Sequence, residues 1–473
     1  MLLPLAWSFW YDDGQWRSFV WSMVICFVVG GVSVLVTRNR PAEIYRREGL
    51  AIVGLGWLLS GVFGALPYIF SDTLPQFHDA FFETLSGLTT TGSTVLTDIE
   101  SVAKSILFWR SLTHWLGGMG VIVLFLAVLP SLGAGAKQLY KSEVPGPVPE
   151  GLRPTIRETA TLLWGIYVGI SALETVVLMI EGMTFYQALV HTFGTMATGG
   201  FSSLNKSVAG FESVTMEITI IFFMVLAGTN FTLYYRMLRG KRWAIFKDAE
   251  WRVYAFIMVA ATAYITLHLW TAGPTSGDVL ANPVRGDFGE SARQASFQVV
   301  SIMTTTGYAT ANFDLWPVAT KVLLVLLMFV GGSAGSTGGG IKVMRLILLV
   351  KSVRHLIRKA YAPKIVRHVR VGGAVVDDEV QTATLGYFVI LMLILAGATF
   401  LVALTGPDVT TSVTAVIATL NNIGPGLAKV GAIENFAFFE PFAKYVMSVC
   451  MVMGRLELYA ILVLFAPSLW RRN

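Results

Sequence analysis

Residues 86–94 read SGLTTTGST, and a segment of this kind returns three more times: TMATGGFS at 195–202, SIMTTTGYAT at 301–310 and LNNIGPGL at 420–427. Each follows a short amphipathic stretch, at 78–89, 184–196, 291–304 and 409–421, and each stands between two long apolar stretches. The turns are read as Thr90-Thr91-Gly92-Ser93, Ala197-Thr198-Gly199-Gly200, Thr305-Thr306-Gly307-Tyr308 and Asn422-Ile423-Gly424-Pro425. Gly92, Gly199, Gly307 and Gly424 recur at nearly equal intervals in matching surroundings, the mark of internal duplication. About a dozen residues cannot cross roughly 30 Å of hydrocarbon, so each short stretch must dip in and return on the same side. Non-helical backbone at that depth survives only inside protein or along a water-filled path. Four such loops about one axis can replace the water shell of a cation with carbonyl oxygens. Glycine permits the backbone angles that turn a carbonyl inward, and each short helix aims its partially negative C-terminus at the loop.

The rest of the chain agrees with a membrane setting. Of 473 residues, 54% are hydrophobic and 14% charged, and mean hydropathy is +0.64; soluble domains carry about 25% charged residues. Long apolar stretches fall near 17–37, 49–70, 105–130, 159–181, 211–235, 251–273, 317–350, 382–404 and 442–466. The expected fold is an all-α polytopic membrane protein of four helix–pore-loop–helix units around one pseudo-fourfold pore. The units divide as 49–133, 134–240, 241–370 and 371–473, after an N-terminal extra membrane segment at 1–48. Met1–Tyr11 is apolar but too short to span, and it lacks the basic start and small-residue cleavage site of a signal peptide. It is read as the tail of a further helix or as an interfacial anchor.

Charge gives the orientation. Arg38, Arg40, Arg46 and Arg47, then Lys137, Lys141, Arg153 and Arg157, then the basic runs 236–252 and 342–370, and finally Arg471 and Arg472, all fall on one face. The positive-inside rule makes that face, and the C-terminus, cytoplasmic. The net charge of +6 therefore reflects topology and not nucleic acid. Cys26, Cys450 and six histidines form no disulfide or metal-ligand spacing.

The second helix of the third unit is interrupted by Gly331-Gly332-Ser333-Ala334-Gly335-Ser336-Thr337-Gly338-Gly339-Gly340. Each glycine costs a helix roughly 1 kcal/mol relative to alanine, so an intramembrane loop below the four turns is expected. A phosphate-binding loop is excluded, because Ile341 separates the last glycine from Lys342. Arg455 stands inside the last apolar stretch, where an isolated arginine costs several kcal/mol unless it faces a polar interior. Glu457 is two residues away and so on another helix face; Arg455 is expected to hold the oxygens of 331–340 instead. Lys342 and Arg345 are read as solvated charges at the cytoplasmic mouth, with contact to a regulatory partner as the alternative. Glu83, Glu174 and His191 are read as satisfied core groups rather than proton carriers.

These segments, with GGSAGSTGGGIK at 331–342 and GRLELYAIL at 454–462, resemble the Trk/Ktr/HKT superfamily of potassium transporters, most closely the bacterial TrkH type, over residues 15–473. The resemblance implies potassium uptake across the bacterial inner membrane by a non-enzymatic, multi-pass protein. It maps the selectivity filter onto Gly92, Gly199, Gly307 and Gly424 and the backbone oxygens of Thr90, Thr91, Ala197, Thr198, Thr305, Thr306, Asn422 and Ile423. Glycine at all four positions goes with potassium preference. The resemblance also makes Gly331, Gly332, Gly335, Gly338, Gly339 and Gly340, with Arg455, a movable gate. It implies two helices ahead of the first unit, where this sequence shows one and a fragment. The expected partners are a second copy of the chain in a homodimer, a cytosolic NAD- or nucleotide-binding regulatory subunit of TrkA type, and the lipid bilayer. No nucleic acid and no cofactor on this chain are expected, the potassium ion being the cargo. Sodium- or proton-coupled symport stays open beside a gated channel. A secondary transporter of another solute would show inverted halves with broken helices in corresponding places, against four units and a single broken helix read here. A membrane enzyme would need a nucleophile–base set or paired metal ligands, and no such set is present in the sequence.

Overall fold

The computed structural model describes residues 1–38, 46–120, 156–272, 286–362, 369–372 and 374–465. Residues 121–130 of the stretch at 105–130, the basic residues Lys137, Lys141 and Arg153, and Arg471 and Arg472 lie outside the described residues. Among the described residues, five helices are long and apolar enough to cross a membrane. They are α2 (Trp16–Thr37) and the first helix of each unit: α3 (Arg46–Phe70), α6 (Ile156–Ile180), α10 (Ala249–Ala272) and α14 (Asp378–Ala403). Helix α2 exposes Phe27, Val34 and Val36, as befits a helix that is apolar all round and meets lipid.

The N-terminal fragment is a short helix, α1 (Leu2–Tyr11), ended by Asp12 in the left-handed conformation. Its Trp7 ring lies 5.4 Å from Phe108 and 5.5 Å from Tyr186, which docks α1 against the seam between the first and second units. Aromatic packing, rather than length, fixes it there.

Each unit then carries a pore helix: α4 (Phe77–Leu88), α7 (Phe185–Met196), α11 (Phe288–Met303) and α15 (Val409–Leu420). At 1.5 Å per residue a 12-residue helix is about 18 Å long, enough to reach mid-membrane and no further. Three of them start at polar caps that satisfy exposed N–H groups. Thr184 forms a capping box with Gln187, Asp287 accepts from the Glu290 N–H, and Asp408 accepts from the Thr411 N–H. Their inner halves are buried; in α4 every residue from Ala80 to Leu88 is.

The second helices depart from the sequence reading. The stretch 211–235 was expected to be one spanning helix and 317–350 the single broken one. Among the described residues the second helices of the second, third and fourth units are all interrupted, and that of the first widens at its described end. The first, α5 (Lys104–Trp115), passes into a wide turn at Leu116–Gly120. In the second unit α8 (Val214–Ala227) and α9 (Phe231–Leu238) meet at 91°. In the third, loop 331–342 separates α12 (Val318–Leu327) from α13 (Val343–Tyr361). In the fourth, α16 (Pro441–Arg455) ends just before Glu457 and Leu458, both at positive φ. Glycine sits at each break, and in the second unit Asn230 restarts the helix by accepting from the Thr232 N–H at 2.9 Å.

Polar clamps close the four units into a ring. Arg110 donates to the Ser202 carbonyl at 3.2 Å, and Arg293 pairs with Glu217 at 3.2 Å. Asp314 accepts from the Ala428 N–H at 3.1 Å, and the buried Lys444 meets Asp79 at 2.6 Å. These four contacts join units one to two, two to three, three to four and four to one.

Candidate ion-conduction site

Backbone hydrogen bonds set the register of the four turns. The N–H groups of Thr91, Gly199, Thr306 and Ile423 donate to Ser86, Gly194, Ser301 and Ala418, all at 2.8–2.9 Å. The preceding residues, Thr90, Thr198, Thr305 and Asn422, all have φ between 54° and 61°, and the glycines at positive φ are Gly92, Gly200, Gly307 and Gly424. The second turn therefore runs Thr198-Gly199-Gly200, one residue later than the sequence reading placed it. Ala197 takes the place of Thr89, Thr304 and Asn421, and Gly199 that of Thr91, Thr306 and Ile423. Two adjacent glycines, Gly199 and Gly200, leave that register ambiguous in the sequence. Gly199 is small for another reason: a Cβ there would stand 2.5 Å from the His114 ring. A β-branched residue in the left-handed region is a genuine outlier, costing about 1–3 kcal/mol, and such strain gathers at functional sites. Three threonines hold it here.

The turns meet in a closed ring. A Cβ on Gly92 would overlap the carbonyl oxygen of Gly199, one on Gly200 that of Thr306, and one on Gly307 that of Ile423. The circuit returns at Gly424, where a Cβ would stand 2.9 Å from the Thr91 carbonyl oxygen. Each glycine lacks a side chain where the next unit's carbonyl needs the space. Gly92, Gly200, Gly307 and Gly424 also line one open hollow with Thr94, Asn205 and Glu434.

Hydroxyls and one buried ion pair brace the ring from behind. Ser86 and Ser301 donate to the carbonyls of Ser93 and Tyr308 at 2.6 Å. Ser93 donates to the Gly424 carbonyl at 2.9 Å, and Asn422 Nδ2 to Thr91 Oγ1 at 2.9 Å, both across the seam between units one and four. Glu83 accepts from Arg110 Nε at 2.6 Å and from the Val95 N–H at 2.9 Å, and the guanidinium lies 3.4 Å over the Phe201 ring. His191 bonds to the Ser202 hydroxyl at 3.0 Å. Glu83 and His191 are satisfied core groups; Glu174 is fully buried, and neither of its oxygens has a hydrogen-bond partner among the described residues.

Loop 331–340 lies directly beneath. Its two limbs meet: the Gly331 N–H donates to the Ile341 carbonyl at 2.9 Å, and the Val343 N–H to the Gly332 carbonyl at 3.2 Å. The crown touches the ring, since the Gly339 N–H donates to Thr305 Oγ1 at 2.6 Å and a Cβ on Gly339 would crowd the Asn421 carbonyl. Gly338 lies under the Thr304 carbonyl, and Gly335 beside the Asn230 side chain. Arg455 binds the loop to the first unit: Nη1 donates to the Thr337 carbonyl at 2.8 Å, and Nη2 to Gly117 and Gly118 at 2.6 and 2.8 Å. Glu457 pairs with Arg345 instead. Lys342 departs from the sequence reading. It is buried, not solvated, and its Nζ donates to the Gly338 carbonyl, so an ammonium replaces missing donors inside the loop. The sequence carried that signal only as a lysine adjoining an apolar residue, which a cytoplasmic mouth shares.

Among the described residues no group of three or more His, Cys, Asp or Glu side chains is arranged to hold a metal ion; the oxygens gathered here are backbone and hydroxyl. The family model for TrkH, described as a cation transport protein, matches residues 16–472. The chain is 38% identical to the Trk system potassium uptake protein TrkH of Salmonella typhimurium, over 100% of this chain and 96% of that protein. It is 33% identical to the Trk system potassium uptake protein TrkG of Escherichia coli, over 100% and 95%. It superposes on the crystal structure of the potassium transporter TrkH from Vibrio parahaemolyticus with a TM-score of 0.86 and 35% identity, over 99% of this chain and 96% of that one.

Proposed function

The chain belongs to the TrkH family of cation transport proteins, and from that footing we propose that it takes up potassium through a pore whose filter is the ring of four turns. The observation that carries this is the closed circuit of glycine against carbonyl from unit to unit. Oxygens held by backbone at fixed spacing can replace a potassium ion's hydration shell. The proposed filter comprises Thr90, Thr91 and Gly92; Thr198, Gly199 and Gly200, with Ala197 one step below; Thr305, Thr306 and Gly307; and Asn422, Ile423 and Gly424. The relatives are named potassium uptake proteins, and this chain has a glycine at positive φ in each of the four turns.

Loop 331–340 is the gate in this reading, with Arg455 holding it across the pore through the Thr337 carbonyl. The membrane potential drives the ion: each unit charge gains about 2.3 kcal/mol per 100 mV, enough for roughly fiftyfold accumulation. We place the chain in the bacterial inner membrane with its C-terminus cytoplasmic, as a homodimer with one pore per protomer. A separate cytosolic subunit that binds NAD or another nucleotide regulates it, and the basic segments 236–252 and 342–370 are its docking surface. One observation favours proton coupling as a second reading: Glu174, a buried carboxylate behind the second pore helix without a hydrogen-bond partner among the described residues, since intramembrane acids mark proton paths.

Ion flux in proteoliposomes tests both. Potassium uptake driven by an imposed voltage alone, with sodium excluded, supports the uniport; uptake that requires an imposed proton gradient supports coupling. Equal uptake of sodium and potassium overturns the filter.

A further inference from the structure

The inner loop is also held at its neck. Glu250 lies in the first turn of α10, is 3% exposed, and belongs to neither the filter nor the loop. Its Oε1 accepts from the Ala334 N–H at 2.7 Å and from the Met344 N–H at 2.8 Å. Ala334 is on the limb that enters the loop; Met344 is on the limb that leaves it, in the first turn of α13. The first N–H groups of a helix have no partner within it, and Lys342, at the N-cap of α13, supplies no side-chain cap. A carboxylate from another unit-three helix fills that place, where the helix dipole favours negative charge. One oxygen therefore ties together two backbone sites on opposite limbs. Opening the loop requires the limbs to part or to move as a body, and either motion breaks at least one of these bonds.

We propose that Glu250 is a positioning residue that latches loop 331–340 in its closed form. This rests on the reading of that loop as the gate. Glu250 acts as an acceptor at the neck, while Thr305 and Arg455 act at the crown, so the latch is mechanically separate from the filter. The segment just before it, from Arg239 to Lys247, is basic and adjoins α10 directly; a shift of that segment moves the latch.

The test measures rubidium uptake into proteoliposomes holding the full chain without any partner protein, under a fixed voltage. Four forms are compared: the unchanged chain, Glu250→Ala, Glu250→Gln and Arg455→Ala. The expected result is a several-fold rise in flux for Glu250→Ala with the potassium-to-sodium ratio unchanged. Glu250→Gln, whose amide oxygen accepts the same two N–H groups, should return the flux toward that of the unchanged chain. A protein damaged at random does not gain selective flux or recover it with glutamine. Should Glu250→Ala fail to fold, Glu250→Asp takes its place, because its carboxylate sits one carbon–carbon bond too far back to reach both limbs. The latch is overturned if Arg455→Ala leaks while the Glu250 variants do not, or if Glu250→Gln leaks as much as the alanine form. Flux unchanged in Arg455→Ala as well removes the gate reading itself, and the latch with it.

Discussion

At the scale of single residues, the decisive feature is a missing side chain. A Cβ on Gly92, Gly200 or Gly307 overlaps a backbone carbonyl of the next unit, and all three glycines have φ near 80°. Backbone cannot step aside as a side chain can. Alanine at any of these three should abolish selective uptake, while Gly424→Ala, with 2.9 Å to the Thr91 oxygen, should be milder; potassium and sodium uptake by the four variants checks the order. Gly200→Ala behaving like an ordinary surface change would return the register to Gly199. Thr305→Val removes the acceptor of the Gly339 N–H, and an orphaned buried donor costs about 1–3 kcal/mol. That variant should show raised basal flux, read in the same vesicles. The residue scale is also where the sequence was least legible. Gly199 and Gly200 are interchangeable on paper; only the backbone angles and the His114 ring tell them apart. Lys342 was similarly opaque, because burial of one lysine depends on a fold that returns over it.

At the scale of elements, four pore helices and their turns were legible from length and Thr/Gly spacing, the second turn to within one residue. The breaks in the second helices were not, except for the longest. Periodicity registers apolar faces and is blind to one or two glycines, which a helix tolerates at roughly 1 kcal/mol each. Ala227-Gly228-Thr229-Asn230 nevertheless carries a stop and a cap, and read together they foretell the 91° bend. Breaks in more than one unit mean that a single broken helix does not distinguish this chain from an organic-solute transporter; the fourfold ring of turns does. Arg455 joins the loop that breaks the third unit's helix to the wide turn of the first, through Thr337 on one side and Gly117 and Gly118 on the other. Its guanidinium presents donors in a planar fork that an ammonium lacks. Arg455→Ala should therefore raise leak, and Arg455→Lys should leak too; a lysine variant as tight as the unchanged chain would reduce the arginine's role to charge alone.

At the scale of the molecule, the repeat was legible because duplication leaves the same word in four places. What joins the copies was not, since clamp residues differ at every seam: Arg110 to Ser202, Arg293 to Glu217, Asp314 to Ala428, Lys444 to Asp79. Each copy solved the same closure with other chemistry. Of these, the seam at Arg110 also braces the ring through Glu83, with side chains 2% and 0% exposed. Removing one partner of a buried pair costs about 3–5 kcal/mol, because the other charge stays buried alone. Glu83→Ala should lower the thermal midpoint in detergent and weaken potassium preference together; a change in stability with selectivity intact would separate the brace from the filter. Each turn presents a single positive-φ glycine to the next unit's carbonyl, which makes for a short filter, and rubidium should pass almost as well as potassium.

The most direct measurement is a crystal soaked in rubidium or thallium and read by anomalous scattering. An ion stripped of water should appear on the axis among the carbonyl oxygens of Thr91, Gly199, Thr306 and Ile423. Soaked crystals with no peak inside that ring, or with density only out in the hollow where water still surrounds the ion, would contradict the account.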